Sequence, residues 1–399
     1  MSSDLYRRLR QRVSGRSPAA GPPDGKPMGE PMGEPARPVS GARSSSDRSP
    51  PDGWHERAPL VYIRETLEQI ARPPGLSPDG TIESCMLGRT VPVSALRFMD
   101  TETTGLSGGA GTTVFLVGSG ELTAEGIRVR QVLLGDFPGE PGFLEQVSND
   151  LADPVWVSYN GKAFDGRLLE SRFLMNGMSP LNPEHVDLLT WSRRLWRSRI
   201  GPCALSDLER SILGRERHGD IPGIEIPDRY FAYLRTGRVA DLEPVFEHHR
   251  LDIVSLVYLF LRIESVLREP AGDPTIDRFQ LGRWLLATRE DTALSLLEDA
   301  TTGSDSERVR AALLLARTYR RRGRPLDALR ILERVADAGS VCVVVEAAKI
   351  HEHDLRDPST ARALVGACLD RPNASGIAPE LRHRLDRLCR KSMRRSRPA

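Results

Sequence analysis

Alternating strand and helix patterns between residues 96 and 196 constrain the fold of this chain more than any other feature. Three short apolar segments, separated by turn residues, predict a β-meander over residues 96–99, 113–118 and 127–134. The pattern then alternates between helix and strand over residues 143–151, 155–159, 163–175, 185–187 and 188–196. Antiparallel strands followed by β-α-β alternation are typical of an α/β domain. We therefore predict a mixed sheet flanked by helices within residues 54–270.

Two further helices are predicted after this alternation. Apolar spacing within residues 203–214 predicts a short helix, with Ser206 as its N-cap. A longer apolar pattern predicts a helix over residues 242–267, which places Asp252 on a helix.

Residues 277–390 have the character of helix pairs. The sequence ALSLLE at residues 293–298 recurs as ALRILE at residues 328–333, close to the period of about 34 residues of tetratricopeptide arrays. Chance similarity between two amphipathic helices would produce the same pattern. We expect a helical, repeat-like region that recruits a protein partner.

The two ends of the chain differ from the rest. Residues 1–53 are rich in Pro, Gly, Ser and Arg, and such a segment buries too little apolar surface to offset its ordering entropy. We predict a disordered tail there and a short basic tail at residues 391–399. The sequence contains neither an apolar run of about 20 residues nor a signal-peptide pattern, so a cytoplasmic protein without membrane contact is expected.

The net charge and the cysteines of the chain exclude few classes of function. The chain has 56 Lys and Arg against 54 Asp and Glu, so its net charge of +2 neither requires nor excludes nucleic acid as a partner. The five cysteines form no Cys-x-x-Cys pair of the kind that binds zinc or performs redox chemistry. We expect them to be reduced and mostly buried.

The sequence FMDTETTGL at residues 98–106 carries the strongest local signal. Side chains two apart on a strand face the same way, so Asp100 and Glu102 project together from the strand end. Hard cations such as magnesium prefer oxygen ligands. The pair, followed by Thr103 and a turn, therefore predicts a divalent-cation site, although a bare Asp-x-Glu can also be a solvated turn.

A second signal lies in VSYNGKAFDGRLL at residues 157–169. Here a strand turns at Asn160 into a helix whose first turn carries Asp165. The helix dipole favours a carboxylate at that position, which gives Asp165 a structural explanation as well as a functional one. Asn160 can contact a substrate phosphate or hold the turn.

A third signal is EHHRLDIVSL at residues 247–256. Residues four apart share a helix face, so His248 lies one turn before Asp252 and can face the same cavity. His249, three residues before Asp252, is a competing candidate. The pattern predicts a metal carboxylate beside a group that activates water.

These three motifs together resemble the DEDD exonuclease superfamily and, more closely, the YprB-like ribonuclease H-like domain. The resemblance covers about residues 59–268. It implies a ribonuclease H-like fold and 3′ to 5′ removal of nucleotides from single-stranded DNA or RNA. The four superfamily carboxylates then correspond to Asp100, Glu102, Asp165 and Asp252.

One position departs from the superfamily pattern. Members with a helical tyrosine place it where this chain has His248, whereas members with histidine place it where this chain has Glu247. The metal site is therefore better supported than the general base. Asp187 is an additional acidic residue with either a structural or a catalytic role.

The expected mechanism follows from this resemblance. Two magnesium or manganese ions about 4 Å apart stabilise the attacking and leaving oxygens of a phosphodiester. The four carboxylates would hold both ions, with Asp100 bridging them, while His248 orients or deprotonates water. Thr103 and Asn160 are the candidate substrate contacts.

Two other functions remain compatible with the sequence. The first is a nucleic-acid-binding scaffold whose nuclease fold is weak or inactive and whose C-terminal helices recruit a partner. The second is a hydrolase of small phosphoesters, because carboxylate-bound metals do not select for polymers.

Overall fold

The computed structural model describes residues 50–70, 80–105, 111–152, 154–369, 376 and 378–395. The predicted disordered tail lies outside the described residues except for residues 50–53, and so do residues 396–399 of the predicted basic tail. Within the described part of the chain, no helix combines the length and the apolar character that crossing a membrane requires.

The described residues form nine strands. Their bounds are β1 His55–Ala58, β2 Val61–Glu68, β3 Thr81–Ser84, β4 Arg89–Pro92, β5 Leu96–Thr103, β6 Val114–Leu122, β7 Ile127–Leu134, β8 Val155–Ser158 and β9 His185–Asp187. Seven of them make one sheet in the order β1-β2-β7-β6-β5-β8-β9, and β3 and β4 pair separately. The pairs β5–β8 and β8–β9 are parallel and the other pairs are antiparallel, so the predicted mixed sheet is confirmed.

Thirteen helices accompany these strands in the described residues. In the first part of the chain they are α1 Glu140–Leu151, α2 Asp165–Met175, α3 Leu188–Ile200, α4 Leu205–Leu208, α5 Ile226–Thr236 and α6 Glu243–Arg268. The C-terminal part contains α7 Arg278–Leu285, α8 Glu290–Ala300, α9 Asp305–Arg321, α10 Pro325–Glu333, α11 Val341–Lys349, α12 Pro358–Leu369 and α13 Ala378–Arg395. π-Helical turns extend α4 and α11, at Glu209–Leu213 and Ile350–Asp354.

Helices cover both faces of the sheet. Neighbouring strand residues point to opposite faces, and Phe98 and Met99 accordingly belong to different buried clusters. The cluster around Phe98 includes apolar residues of α3 and α6, such as Leu195 and Ile253. The cluster around Met99 includes residues of α1 and α2. Helix α6 therefore covers the face of the sheet that carries Phe98. Asp100, two residues further along β5, lies on the same face.

The C-terminal helices pack as successive pairs, beginning with α7 and α8 and continuing with α9 and α10. The repeated sequences fall on α8 and α10, the second helix of each pair. The helical character of this region is confirmed, whereas its assignment to tetratricopeptide repeats stays a prediction. The first pair is not separate from the sheet domain, because Leu281 and Leu296 belong to the same buried cluster as Phe98.

Several local predictions differ from the structure. Strand β5 continues through Thr103, so both acidic residues lie within the strand and not beyond its end. Helix α4 begins at Leu205 after Ala204, and the predicted N-cap Ser206 lies inside it. Strands β1 to β4 were not predicted. All five cysteines are free thiols, and two of them, Cys203 and Cys368, are buried.

Candidate active site

The first part of the site is the face of β5 that carries Asp100 and Glu102. Asp100 pairs with Gly118 across the β5–β6 ladder, and the register shifts by one residue between Glu102 and Thr103. Such irregularities locally change the direction of side chains next to functional sites. Asp100 and Glu102 lie on the same face of β5 as Phe98, which is the face that α6 covers. The two carboxylates therefore point toward the helix that carries His248 and Asp252.

Helix α6 contributes His248 and Asp252 from one of its faces. Nε2 of His248 lies 3.3 Å from Oδ2 of Asp252. Glu102, His248 and Asp252 each offer one ligand atom, and these atoms lie within 4.8 Å of one another. The structure thus brings together three residues that lie up to 150 positions apart in the sequence.

His249 has a different environment from that of His248. Its side chain is fully buried, Nδ1 lies 3.0 Å from Nε2 of Gln131, and Nε2 lies 3.1 Å from the carbonyl oxygen of Asp100. The amide of Gln131 donates to Nδ1, and Nε2–H donates to the carbonyl, so both ring nitrogens are used. Burial lowers the pKa of His249 to about 3. Of the two histidines, His248 is the one with a nitrogen that faces Glu102 and Asp252.

A loop between the π-helical turn and α5 closes the site with Arg217 and Asp220. Nη2 of Arg217 lies 2.6 Å from Oδ1 of Asp252, and Nη1 lies 3.2 Å from Oδ2 of Asp220. The same guanidinium contacts the buried carboxylate of Glu209. Asp220 in turn accepts a hydrogen bond from Nδ1 of His248, with an Nδ1–Oδ1 distance of 2.7 Å. Asp252 therefore has a cationic partner on one oxygen and an imidazole on the other.

Asp165 approaches the end of β5 from the other side of the strand. The hydroxyl of Thr101 donates a hydrogen bond to Oδ1 of Asp165, and both side chains are buried. Thr101 points away from the face of Asp100 and Glu102 because successive strand residues alternate. Burial raises the pKa of Asp165 to about 6, although the hydrogen bond from Thr101 opposes the shift.

The turn before α2 positions Asp165 through a close approach at Gly161. A Cβ atom at Gly161 would lie 2.3 Å from Oγ of Ser158 and 3.2 Å from Oδ2 of Asp165. Asn160 is exposed and has a φ of 66°, which the turn requires. The backbone N–H of Asn160 donates to Oδ1 of Asp187 over 2.9 Å.

Asp187 and Thr103 use their side chains in local structure. Asp187 also accepts a hydrogen bond from the amide of Leu189 over 3.0 Å and so caps α3. The hydroxyl of Thr103 donates to the carbonyl oxygen of Gly105 over 2.8 Å. These contacts give Asp187 and Thr103 structural roles. The proposed contacts of Thr103 and Asn160 with a substrate stay predictions.

The carboxylates of the site repel one another. Burial, followed by the charges of Asp252 and Asp165, raises the pKa of Asp100 well above its ordinary value. The same causes raise the pKa of Glu102. Burial also raises the pKa of Asp252, although His248 and Arg217 oppose the shift. A partly buried group of carboxylates with an excess of negative charge, together with one imidazole, is a donor set that fits a divalent cation.

Asp220 behaves differently from these four residues. Burial opposes its ionisation, but the hydrogen bond from His248 and the charges of His248 and Arg217 lower the pKa of Asp220. Asp220 is therefore an anion that His248 and Arg217 hold in place.

Sequence reasoning did not find Arg217, Asp220 or Thr101 as site residues. For the first two, the available signal was the sequence RERHGD at residues 215–220, which concentrates charge in a glycine-containing loop without apolar positions. For Thr101 the alternation of the strand places it away from the carboxylates, and no local pattern connects it with Asp165.

The chain is similar to known proteins in sequence and in structure. A sequence model of the RNase_H superfamily matches residues 97–263. The chain is 30% identical over 272 residues to the uncharacterized protein YprB of Bacillus subtilis strain 168, and the match covers 66% of each of the two proteins. Among solved structures, the chain is similar to the family B DNA polymerase of the hyperthermophilic archaeon Pyrobaculum calidifontis, with 16% identity and a TM-score of 0.33 over 56% of this chain and 29% of the polymerase. That likeness is too distant to bear on function.

Proposed function

We propose that this protein, whose residues 97–263 match a sequence model of the RNase_H superfamily, is a metal-dependent nuclease that removes nucleotides from the 3′ end of single-stranded DNA or RNA. The observation that carries the proposal is the convergence of Glu102, His248 and Asp252 within 4.8 Å, with Asp100 two residues before Glu102 on the same face of β5. A nuclease of this kind needs a group that accepts the proton of water and a group of carboxylates that binds cations.

Magnesium or manganese suits this set of donors. Asp100, Glu102, Asp165 and Asp252 would hold two ions, which supply charge stabilisation to the phosphate oxygens when they are bound. The raised pKa of Asp100 and Glu102 supports this assignment, since a cation relieves the repulsion that raises them.

The other residues act on water and substrate. In the proposal, Nε2 of His248 accepts a proton from the attacking water while Nδ1–H remains bonded to Asp220. Thr101 holds Asp165 through its hydroxyl. Thr103 ends β5 and Asn160 follows the neighbouring parallel strand β8, so both lie at the carboxyl ends of these strands, and they are proposed to contact the sugar-phosphate backbone.

A second candidate function is a nucleic-acid-binding scaffold with weak or absent cleavage, which recruits a protein partner through its C-terminal helices. The observation that favours it is the ion pair between Arg217 and Asp252. A guanidinium at this carboxylate neutralises a charge that a cation would otherwise use.

An oligonucleotide assay distinguishes these functions. Single-stranded DNA and RNA, each labelled at the 3′ end and in parallel at the 5′ end, are incubated with manganese and with wild type or Asp100→Ala. Release of labelled mononucleotide from the 3′ end by wild type only, with a shortening ladder from the 5′ label, is the expected result. Binding without cleavage by both proteins would favour the scaffold, and hydrolysis of p-nitrophenyl phosphate without oligonucleotide cleavage would favour a small-phosphoester hydrolase.

A further inference from the structure

The loop that carries Arg217 and Asp220 meets α6 at His248. Oδ1 of Asp220 lies 2.7 Å from Nδ1 of His248, and the amide of Ile221 lies 2.9 Å from the same oxygen. The other carboxylate oxygen, Oδ2, lies 3.2 Å from Nη1 of Arg217. Both oxygens of Asp220 are therefore held by donors, which fixes the orientation of this carboxylate.

The opposite edge of the His248 ring faces the carboxylates of the site. Nε2 lies 3.3 Å from Oδ2 of Asp252, and the ligand atoms of Glu102 and Asp252 lie within 4.8 Å of a ring nitrogen. A neutral imidazole donates from one nitrogen and accepts at the other. If Nδ1 donates to Asp220, Nε2 must carry the lone pair, and the lone pair then points at the site.

We propose that Asp220 is a positioning residue that holds His248 in the Nδ1–H tautomer with Nε2 directed toward Glu102 and Asp252. The role rests on the proposed nuclease function, in which Nε2 accepts a proton from water. Carboxylates that fix the tautomer and the orientation of a histidine act in this way in other enzymes, although they do not touch the substrate. Without Asp220, the imidazole can rotate about the side-chain torsion angles of His248. It can also adopt the Nε2–H tautomer, which directs an N–H group instead of a lone pair at Glu102 and Asp252.

Arg217 completes this arrangement. Its guanidinium contacts Asp220 through Nη1 and Asp252 through Nη2, so it links the residue that orients His248 to the carboxylate that His248 faces. The side chain of Arg217 is 13% exposed and its partners are 22% and 16% exposed. Restricted exposure to water strengthens such contacts and keeps the loop in one position.

The chain offers a closely matched control. Asp241 pairs with Arg238 three residues before it at 3.3 Å, as Asp220 pairs with Arg217 at 3.2 Å, and the two aspartate side chains are 27% and 22% exposed. Among the residues that the structure describes, Asp241 pairs with Arg238 and with no histidine, and it lies outside the carboxylate site. Asp241→Asn therefore removes an Arg–Asp pair of the same spacing, with a more exposed arginine (71% against 13%), and leaves the contacts of His248 in place.

The kinetic test compares Asp220→Asn and Asp241→Asn in cleavage of a short labelled oligonucleotide at saturating manganese. We expect Asp220→Asn to lower kcat by about 10- to 100-fold with KM changed by less than about twofold, because orientation and not substrate binding is lost. Asp241→Asn should leave both constants near those of wild type. Equal losses in the two variants, or an unchanged kcat in Asp220→Asn, would overturn the proposal.

A spectroscopic test does not depend on cleavage. Protein labelled with 15N at histidine is saturated with Mg2+ at a pH above the ordinary histidine range, and the ring signals of His248 are assigned with His248→Gln. Wild type and Asp241→Asn should show the Nδ1–H tautomer, and Asp220→Asn should show a mixture or the Nε2–H tautomer. If wild type shows the Nε2–H tautomer, or if Asp220→Asn keeps the wild-type signals, the assignment of Asp220 is wrong. An inactive wild-type protein with the expected tautomers would instead contradict the nuclease function and leave the positioning role supported.

Discussion

A Cβ atom at Gly118 would lie 2.1 Å from Cδ1 of Ile253 and 2.5 Å from Cε1 of His249, so α6 packs on β6 at a distance that only glycine permits. Gly118 pairs directly with Asp100 across the ladder. The close approach therefore brings the helix that carries Asp252 to the strand that carries the first two carboxylates.

Substitution of this glycine tests that relationship. Gly118→Ala should lower the free energy of unfolding by about 2–3 kcal/mol, because an inserted methyl group in a packed core forces the helix to shift. Cleavage should fall as well, since the shift separates Asp252 from Glu102. Gly272→Ala, at a position where a Cβ would meet no atom within 4 Å, should change the urea-unfolding midpoint little. Similar midpoints for the two variants would show that the approach is not tight.

The carboxylates should make the metal-free protein less stable at neutral pH. Because the pKa of Asp100 and of Asp165 is higher in the folded than in the unfolded chain, their contribution to stability is greatest at low pH and is lost as the pH rises through the folded-state value. At pH 8 without divalent cations, Asp100→Asn and Asp165→Asn should melt at or above the wild-type temperature. Manganese should raise the melting temperature of wild type more than that of either variant.

Substitution of a proposed metal ligand should abolish most cleavage. Asp100→Asn, Asp165→Asn and Asp252→Asn each remove one proposed metal ligand and leave the fold in place. Rates of nucleotide release are measured with and without manganese. Near wild-type rates in all three variants would refute the assignment of the site.

Arg217 should oppose cation binding at Asp252. Removal of its positive charge should tighten manganese binding by roughly tenfold, because the guanidinium and the cation share one carboxylate. The affinity of Arg217→Gln is measured by titration calorimetry, with Arg210→Gln as the control because Arg210 pairs with Asp207 at the surface. Unchanged or weaker binding by Arg217→Gln would show that the guanidinium assists the site.

His185 should make the protein less stable in mild acid. Burial, with the nearby charge of Lys162, lowers the pKa of His185 to about 4, while Oγ of Ser158 lies 2.6 Å from its Nε2. The unfolded chain binds this proton at a higher pH than the folded chain, so stability falls as the pH decreases from about 6.5 to about 4.

Urea unfolding at pH 7.5 and pH 5 measures this effect. The loss of stability between the two values should be smaller in His185→Gln than in wild type by about 1 kcal/mol, after allowance for the partial exposure of the ring. His383→Gln replaces an exposed histidine and should behave as wild type. Identical pH dependence in all three proteins would mean that His185 titrates alike in the folded and unfolded chains.

The C-terminal helices should be separable only after the first pair. A truncation before α7 removes Leu281 and Leu296 from the core of the sheet domain, whereas one at Gly303 keeps both. We expect the longer protein to unfold cooperatively and to cleave a short oligonucleotide, while recruitment of a partner or a long substrate weakens. The shorter protein should be insoluble or lack a cooperative transition by circular dichroism. Complete loss of cleavage by a folded protein that ends at Gly303 would contradict this separation.

Local periodicity accounts for what the sequence by itself determined. Alternation along β5 places Asp100 and Glu102 on one face, and the four-residue spacing on α6 places His248 beside Asp252. Both relationships depend only on the backbone geometry of a single element. The mixed sheet could be predicted for the same reason, because each strand and helix has its own hydrophobic period.

Only the tertiary structure decided which loop completes the site and where the sheet domain ends. Arg217 forms an ion pair with Asp252, 35 residues away in the sequence, and Thr101 donates a hydrogen bond to Asp165, 64 residues away. Likewise, helix α7 joins the core through packing that its own amphipathic pattern does not reveal. The hydrophobic period of a helix or strand indicates which of its faces is buried, but not which element covers that face, because apolar burial is non-directional. Polar contacts between distant residues form only once the chain has packed.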